Sequence, residues 1–493
     1  MKQGFDNAKY IELQSDNIRK RIAQFGGKLY LEFGGKLFDD YHASRVLPGF
    51  QPDSKIRMLQ ALKDDVEIVI VVNAADIEKN KLRGDLGITY DDDVLRLMDA
   101  FKGMGFLISG VVLTHYADQP KAREFRDKLE MLGVRAYRHY FIEGYPYDLK
   151  RIVSDEGFGR NEFVETTHPL VVVTAPGPGS GKMATCLSQL YGEHKRGVVA
   201  GYAKFETFPI WNIPLKHPVN LAYEAATVDL DDVNMIDPSH LEAYQVLAVN
   251  YNRDVESFPL LKTMMTSIIG ESPYNSPTDM GVNMAGFAIV DDEAVCEAAR
   301  MEIVRRYFET ALKVKRSGSG QQMIDRMETI MSKAGVTVDI NPARAAALAK
   351  EEATGAPAAA IVLPDGQVIT GKTSSLMGCA SSTLMNALKA LAGIGPDDLI
   401  ISDAAIEPIC ALKTGALGSR NPRLHSDECL IALSISSATN PEAALAIEQL
   451  PKLRGCDAFI SVIPGSADEK LYKSLGMNLC CEPKYERHCY YHK

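Results

Sequence analysis

The chain has 493 residues, enough for two or three domains with sizeable cores. Hydrophobic residues make up 46% and charged residues 24% of the chain, which is typical of a globular protein. The net charge of −10 argues against a nucleic-acid partner held by a basic surface and against an anionic membrane surface.

The chain shows no sign of export. Its first segment, MKQGFDNAKYIEL, lacks the apolar stretch of a signal peptide, and no apolar run is long enough to cross a bilayer. The nine cysteines are scattered, apart from Cys480 and Cys481, which fits reduced thiols better than a disulfide framework. We therefore expect a cytoplasmic protein.

A polar loop follows the first predicted strand, residues 28–33. Two adjacent glycines open it, and they permit a close approach of the backbone to a ligand. Open α/β sheets bind ligands beyond the carboxyl ends of their strands, although a solvated surface loop would have the same composition. We predict catalytic roles for Asp39 and His42, and substrate binding by Gly34, Gly35, Lys36 and Arg45.

Strands and helices then alternate regularly along the chain. Strands are predicted at 66–72, 106–113, 134–142, 170–173 and 198–203, and helices at 91–101 and 121–132. This alternation indicates an α/β fold with a mostly parallel sheet that is covered on both faces.

The most informative stretch is LVVVTAPGPGSGKMATCLSQLYGE, residues 170–193. It predicts a buried strand, a glycine-rich loop and a helix, which is how a P-loop-like phosphate cradle is built. Glycines let backbone N–H groups approach phosphate oxygens, and the helix N-terminus and a lysine add positive charge. The predicted phosphate-binding or nucleotide-binding residues are Gly177, Gly179, Ser180, Gly181 and Lys182, and Lys182 is also a predicted catalytic residue.

The match to the pattern G-x-x-x-x-G-K-[ST] is incomplete. Pro176 replaces the first glycine, and Met183 stands where a hydroxyl would bind Mg²⁺. Thr185 lies on another face of the predicted helix. ATP with Mg²⁺ is the cofactor that the loop suggests, while a tight turn that needs glycines for steric reasons alone is the alternative.

Two later stretches of the first half are rich in polar groups. Residues 204–237 contain the acids Glu206, Glu224, Asp229, Asp231 and Asp232. These carboxylates are candidates for metal binding or general-base catalysis. The alternative is a structured loop in which they are solvated. The turn-rich segment SPYNSPTDMGVNMAG provides Asp279 as a predicted catalytic residue and Thr278 and Asn283 as predicted substrate-binding residues. Helices are expected at 291–313, 323–334 and 342–352.

The last part returns to α/β structure. Two apolar runs around Asp365-Gly366 predict a hairpin over 358–372, and a helix over 374–392 follows. A hairpin followed by a helix resembles the core of the cytidine-deaminase fold, but Cys379-Ala380-Ser381 lacks the required glutamate and no P-C-x-x-C follows, so no zinc is expected. Lys372, Arg420 and Arg423 are predicted to bind an anionic substrate and His425 to act in catalysis.

Other metal and nucleophile motifs are missing from the sequence. Neither H-E-x-x-H nor G-x-S-x-G occurs. Cys480, Cys481, His488, Cys489 and His492 cluster near the end of the chain, but their spacing matches no familiar zinc pattern.

The chain resembles a bacterial family of similar length that is classed as a domain of unknown function. The resembling stretches include LEFGGKLFDDYHASRVLPGF, TAPGPGSGKMATCLSQLY, FPIWNIPLKHPVNLAYEAAT, SPTDMGVNMAG, TGKTSSLMG and LGSRNPRLHSDE. The resemblance implies an N-terminal α/β part, a helical part and a C-terminal α/β part, which we place at 1–255, 256–352 and 353–493. Such proteins are loosely labelled ATP-dependent peptidases, but no peptidase motif occurs in this chain.

Three functions remain open. The first is an enzyme that binds a nucleotide or phosphometabolite and carries out phosphoryl transfer or ligase-like activation of a small metabolite. The second is a non-catalytic sensor or scaffold that binds a phosphorylated metabolite. The third is a zinc-free sugar-phosphate enzyme that uses the C-terminal basic loop. We expect a small phosphorylated metabolite as partner, and neither nucleic acid nor membrane; a homo-oligomer is left open.

Overall fold

The computed structural model describes residues 2–83 and 86–486. The chain divides between Ala299 and Arg300 into two compact units. The predicted boundaries at 255 and 352 differ from this division. Residue 255 lies inside a helix that packs on the N-terminal sheet unit, and the edge strand of that sheet comes later still, at Gly281–Val282.

The N-terminal unit is an α/β structure. Its strands are β1 (Leu29–Phe33), β2 (Val66–Asn73), β3 (Leu82–Arg83), β4 (Ile88–Thr89), β5 (Leu107–Tyr116), β6 (Ala136–Tyr140), β7 (Leu170–Thr174), β8 (Gly201–Phe205), β9 (Asn234–Ile236), β10 (Val249–Tyr251) and β11 (Gly281–Val282). Its helices are α1 (Asn7–Gln24), α2 (Tyr41–Val46), α3 (Ser54–Gln60), α4 (Ala74–Glu78), α5 (Tyr90–Gly103), α6 (Pro120–Met131), α7 (Leu149–Ile152), α8 (Lys182–Lys195), α9 (Pro218–Ala226), α10 (Pro238–Tyr244), α11 (Asn252–Ile269), α12 (Pro277–Met280) and α13 (Asp292–Ser317), the last of which continues past Arg300.

Seven of these strands form one parallel sheet in the order β11-β8-β1-β7-β2-β5-β6. The predicted mostly parallel sheet is thus confirmed. The strands β1, β2 and β7 are buried along almost their whole length, as expected when helices cover both faces of a parallel sheet. Their β-branched and aromatic side chains form the core of the unit.

The connections that leave the parallel strands β1 and β7 run toward opposite edges of the sheet. From β1 the chain passes to β2 on one side, whereas from β7 it passes back across β1 to β8 on the other side. Helix α8 makes this return and packs against β1, β7 and β8. The sheet therefore has a topological switch point between the adjacent strands β1 and β7, which is where open α/β sheets form a crevice beyond the carboxyl ends of their strands.

The C-terminal unit has its own smaller sheet. Its elements are α14 (Gln321–Ala334), α15 (Pro342–Thr354), β12 (Ala358–Val362), β13 (Val368–Lys372), α16 (Cys379–Ala392), α17 (Asp403–Ala411), α18 (Ser426–Ser436), α19 (Pro441–Ile447), β14 (Asp457–Ile460), α20 (Ser466–Ser474) and β15 (Asn478–Cys481). The strand order is β13-β12-β14-β15, with β12 antiparallel to both neighbours and β14 parallel to β15. The predicted hairpin is thus present as β12 and β13.

Within residues 2–83 and 86–486, no helix has the length and apolar character that crossing a bilayer requires.

Candidate functional site

The glycine-rich loop leaves β7 at the switch point of the large sheet. Gly179 (φ +73°) and Gly181 (φ +89°) adopt left-handed backbone conformations, which other residues rarely do. Gly177 passes so close to Tyr90 that a methyl group there would collide with Tyr90 Oη. Two hydrogen bonds hold the loop: Ser180 Oγ donates to Gly177 O at 2.6 Å, and Thr114 Oγ1 donates to Ser180 O at 2.6 Å.

Helix α8 begins directly after this loop, at Lys182. Its N-cap residue, Gly181, has no side chain to accept a hydrogen bond from the first amides of the helix. Lys182 is half-buried, and within the described residues it forms no hydrogen bond or ion pair. The loop thus offers backbone amides and an ammonium group, the donors that a phosphate group requires.

The hydroxyl that a metal ion would need is missing from this loop. Met183 occupies its position, and Thr185 is fully buried on the inner side of α8. A bound Mg²⁺ would therefore take its ligands from the phosphates, from water or from other side chains.

A second loop at this edge of the sheet follows β1, the neighbour of β7. A methyl group on Gly34 would lie 2.9 Å from Phe205 O and 3.2 Å from Glu206 Cγ, so glycine is required for this approach to β8. Gly35 (φ +72°) lies beside Lys55, which forms an ion pair with Asp40 at 2.7 Å. Burial opposes ionisation of Asp40, but the Lys55 ammonium more than compensates and lowers the pKa of that carboxyl.

The remaining predicted residues of this loop are Lys36 and Asp39, which precede the short helix α2, and His42 and Arg45, which lie in it. Lys36 is exposed, and Asp39 and Arg45 are half-buried. The ring of His42 packs edge-on against Phe208, with 5.3 Å between ring centroids. Their predicted roles in catalysis and substrate binding stay predictions.

A buried polar network stands at the carboxyl end of β8, next to Gly34. Lys204 Nζ donates to Asp254 Oδ1 at 2.6 Å and to Asp254 Oδ2 at 2.7 Å, and lies 2.9 Å from Glu206 Oε1. Tyr251 Oη donates to the same Glu206 oxygen at 2.9 Å. Burial raises the pKa of Glu206 to about 7, although the Lys204 ammonium acts in the opposite direction.

The sequence indicates only part of this network. Glu206 is one of five candidate acids in its stretch, and the sequence does not predict Lys204 or Tyr251. The available signal is the alternation along β8, which, continued by one residue past Phe205, places Glu206 on the same face as Lys204.

Three other predicted residues serve the fold around β11. Asn283 Nδ2 donates to Thr207 O and Pro209 O, both at 3.0 Å. Thr278 Oγ1 donates to Asp237 Oδ2 at 2.7 Å, and Tyr244 Oη donates to Asp279 Oδ2 at 2.8 Å. These hydrogen bonds occupy groups that substrate recognition would need, and the predicted binding and catalytic roles of Thr278, Asp279 and Asn283 stay predictions.

The predicted anion-binding residues of the C-terminal unit lie on two adjacent loops. Leu424 N donates to Leu376 O at 2.7 Å, and Gly378 N donates to Leu424 O at 3.3 Å, so the loop after β13 lies beside the loop before α18. Lys372 and Arg420 are exposed. The roles predicted for these side chains remain untested.

Two of these predicted side chains are paired with acids. Arg423 Nη1 donates to Glu486 Oε1 at 3.1 Å. His425 Nδ1 lies 3.5 Å from Asp468 Oδ2, and this hydrogen bond raises the pKa of His425. His488, Cys489 and His492 lie outside the described residues.

His217, Asp292 and Cys296 form a group with metal-ligand chemistry. His217 Nε2 lies 3.0 Å from Asp292 Oδ1 and 3.4 Å from Cys296 Sγ. However, His217 Nδ1 accepts a hydrogen bond from Val219 N at 3.2 Å, so the neutral ring carries its proton on Nε2. A metal ion would have to displace that proton or turn the ring, and the geometry fits a helix N-cap better than a ligand.

Comparisons with known proteins cover nearly the whole chain. Residues 3–335 match the N-terminal family model "Domain of unknown function DUF1846", and residues 339–491 match its C-terminal counterpart. A UPF0371 protein of Corynebacterium efficiens is 59% identical over the full length of both chains, and one of Corynebacterium diphtheriae is 58% identical over 99% of each. A UPF0371 protein of Streptococcus thermophilus is 53% identical over the full length of both chains.

Proposed function

The chain belongs to the family of the domain of unknown function DUF1846, and from the geometry of its N-terminal unit we propose that it is a phosphate-binding enzyme. It binds a nucleotide or another phosphorylated small molecule at the P-loop-like loop after β7. It then carries out phosphoryl transfer, or a ligase-like activation, on a small metabolite.

The observation that carries the proposal is the position of the glycine-rich loop. The loop leaves the sheet at the switch between β1 and β7, where α/β sheets place their ligands. The loop contains two left-handed glycines, the first amides of α8 have no side-chain cap, and Lys182 adds a full positive charge. Independent features of the chain therefore favour an anion at the same place.

Two features favour alternatives. Because Met183 and the buried Thr185 provide no hydroxyl for Mg²⁺, the same loop also suits a non-catalytic sensor or scaffold. The adjacent loops after β13 and before α18 carry the predicted anion-binding residues, and they support a zinc-free sugar-phosphate enzyme. In that unit, hairpin β12–β13 followed by α16 supports a deaminase-like fold without its zinc ligands.

Isothermal titration of the full chain distinguishes these functions. The titrants are ATP with and without Mg²⁺, inorganic phosphate and glucose 6-phosphate, and phosphate release is followed in parallel. Binding of ATP with slow turnover supports the enzyme. Magnesium-independent binding without turnover favours the sensor, and binding of the sugar phosphate alone favours the C-terminal site. Absence of binding by all titrants contradicts the proposal.

A further inference from the structure

The network around Lys204 lies on the same sheet face as α8. Tyr30 Oη donates to Glu193 of α8 at 2.7 Å, so the β1 face that carries Tyr30 and, two residues on, Glu32 is the face that α8 covers. Glu32 pairs in register with Lys204 of β8. Because alternate residues of a strand share a face, Glu206 belongs to this face as well.

Lys182 lies at the same edge of that face. Helix α8 runs back from the end of β7, so its first residue stands at the carboxyl edge of the sheet. Burial and the Glu32 carboxylate raise the pKa of the Cys186 thiol, and Lys182 acts on the same thiol in the opposite direction. Lys182 and Glu32 therefore both lie near Cys186 of α8, and Glu32 is in register with Lys204 of the network.

The spacing suits two substrates placed side by side. In register, Glu32 is opposite Val173 of β7 and opposite Lys204 of β8, so Gly34 stands between Ala175 and Glu206. Neighbouring strands are about 4.8 Å apart, which puts the backbone of Glu206 about 10 Å from the start of the glycine loop. A phosphoryl group held in the loop and an acceptor held at Gly34 would therefore lie at the ends of adjacent strands.

The two oxygens of Glu206 differ in their surroundings. Oε1 is held by Lys204 and Tyr251, whereas among the described residues Oε2 has no hydrogen-bond donor. The side chain is 23% exposed, compared with 13% for Lys204 and for Asp254. One oxygen is thus fixed and the other is free to take a proton from a bound molecule.

Charged groups surround Glu206 from several elements. They are Lys204 of β8 itself, Glu32 of β1, Tyr251 of β10, Asp254 of α11 and Tyr223 of α9, with the Lys55–Asp40 ion pair beyond Gly35. Burial raises the pKa values of Tyr223 and Tyr251 well above the ordinary value, so both phenols are neutral. Glu32, Glu206 and Asp254 outnumber the Lys204 ammonium, and the Lys55–Asp40 and Arg253–Asp232 ion pairs each balance their own charges. This excess of negative charge disfavours a carboxylate substrate.

We propose that Glu206 is the general base for a hydroxyl or amine acceptor, so that the chain phosphorylates an alcohol or an amine rather than activating a carboxylic acid. The inference rests on the proposed function of the glycine loop. The acceptor's O–H or N–H bond breaks, and its proton bonds to Glu206 Oε2. The electron pair left on the acceptor bonds to the γ-phosphorus of a nucleoside triphosphate held at Lys182, and the bond to the bridging oxygen breaks to release the diphosphate.

Lys204 and Asp254 position this base. The two contacts between Lys204 and Asp254 fix the ammonium, which in turn fixes Glu206 Oε1. A carboxyl whose pKa is near the working pH is an effective proton acceptor, and the pKa of Glu206, about 7, meets that condition.

The test uses the full chain with MgATP, and with water as the acceptor. ATP binding is measured by titration, and phosphate release is measured from pH 5.5 to 9. The wild-type rate is expected to rise with pH with an inflexion near 7, because Glu206 must be ionised. Glu206→Gln is expected to keep ATP binding within about threefold and to lose about 100-fold in rate together with the inflexion. Glu256→Gln, an exposed acid on α11, is the matched control and should behave like the wild type.

A second measurement does not depend on turnover. With ¹³C-labelled glutamate, one carboxyl resonance of the wild type should titrate near pH 7 and be absent from the Glu206→Gln spectrum. Wild-type hydrolysis rates in Glu206→Gln, ATP binding without hydrolysis by the wild type, or no such resonance would each overturn the base assignment. Failure of the wild type to bind ATP would overturn this inference, and failure to bind inorganic phosphate and glucose 6-phosphate as well would overturn the proposed function itself.

Discussion

Replacing Lys182 by alanine tests the glycine loop directly. The ammonium forms no hydrogen bond or ion pair within the described residues, so its loss should change the free energy of unfolding by less than about 0.5 kcal/mol. A charge-assisted hydrogen bond to a phosphate oxygen contributes about 1.5–3 kcal/mol. Because 1.4 kcal/mol is a factor of ten, the Kd for a phosphate-containing ligand should rise about 10-fold to 150-fold.

The assay is isothermal titration of ATP into the wild type, Lys182→Ala and Lys195→Ala at two salt concentrations. Lys195 is the matched control, since it lies in the last turn of the same helix and contacts Asp155 at 3.1 Å. Circular dichroism and thermal melting establish that each variant is folded. The wild-type Kd should rise with salt, because screening weakens contacts between an ammonium and a phosphate.

An unchanged Kd in Lys182→Ala would refute the reasoning, as would an equal loss in Lys195→Ala. In the first case phosphate would bind elsewhere, and the glycines would serve only the tight turn between β7 and α8.

Three further predictions concern stability and protonation. Gly181→Ala forces a side chain into φ +89° with its methyl group 3.0 Å from Thr114 Cγ2, and should lower the free energy of unfolding in urea by about 1–2 kcal/mol. Asp468→Asn should lower the pKa of His425 in an NMR titration. Because the ion pair raises that pKa, its contribution to stability is present below pH 6.5 and is lost as the pH rises through the pKa of the folded state. The variant should therefore be destabilised more at pH 5.5 than at pH 8, and an equal loss at both pH values would contradict the pairing. Burial lowers the pKa of His139 to about 4, so the wild type should lose about 2 kcal/mol of stability between pH 7 and pH 5, a loss that should be absent in His139→Gln.

Much of the large sheet was accessible from the sequence because its strands are continuous β-branched runs. Residues 170–173 were predicted as a strand and form β7 (Leu170–Thr174). The prediction at 198–203 was displaced: Val198 and Val199 are exposed in the preceding loop, and β8 begins at Gly201. Strand preference mainly measures burial on a pleated surface, so an exposed valine pair misleads it.

Two features of the N-terminal unit were missed for different reasons. Helix α11 was not predicted because Pro259 lies inside it, although its buried residues Phe258, Leu261, Met264, Met265 and Ile268 recur at helical spacing. The position of β7 between β1 and β2 depends on pairing between residues that are about 100 or more positions apart, which no local periodicity reports.

One part of the candidate site could be predicted from local sequence and another part could not. The glycine loop was predicted because local backbone chemistry defines it. The link between Lys204 and Asp254 was not, because it joins β8 to a helix that begins nearly 50 residues later. Sequence spacing alone gave no reason to associate those two side chains.

The late arrival of β7 has a consequence for synthesis on the ribosome. A nascent chain that ends before Leu170 contains β1 and β2 but not the strand that separates them, so the middle of the sheet cannot yet pair. The outer strand β11 follows only at Gly281. Apolar strand edges thus stay unpaired during much of translation, and we expect the nascent chain to be prone to aggregation until the last strand emerges.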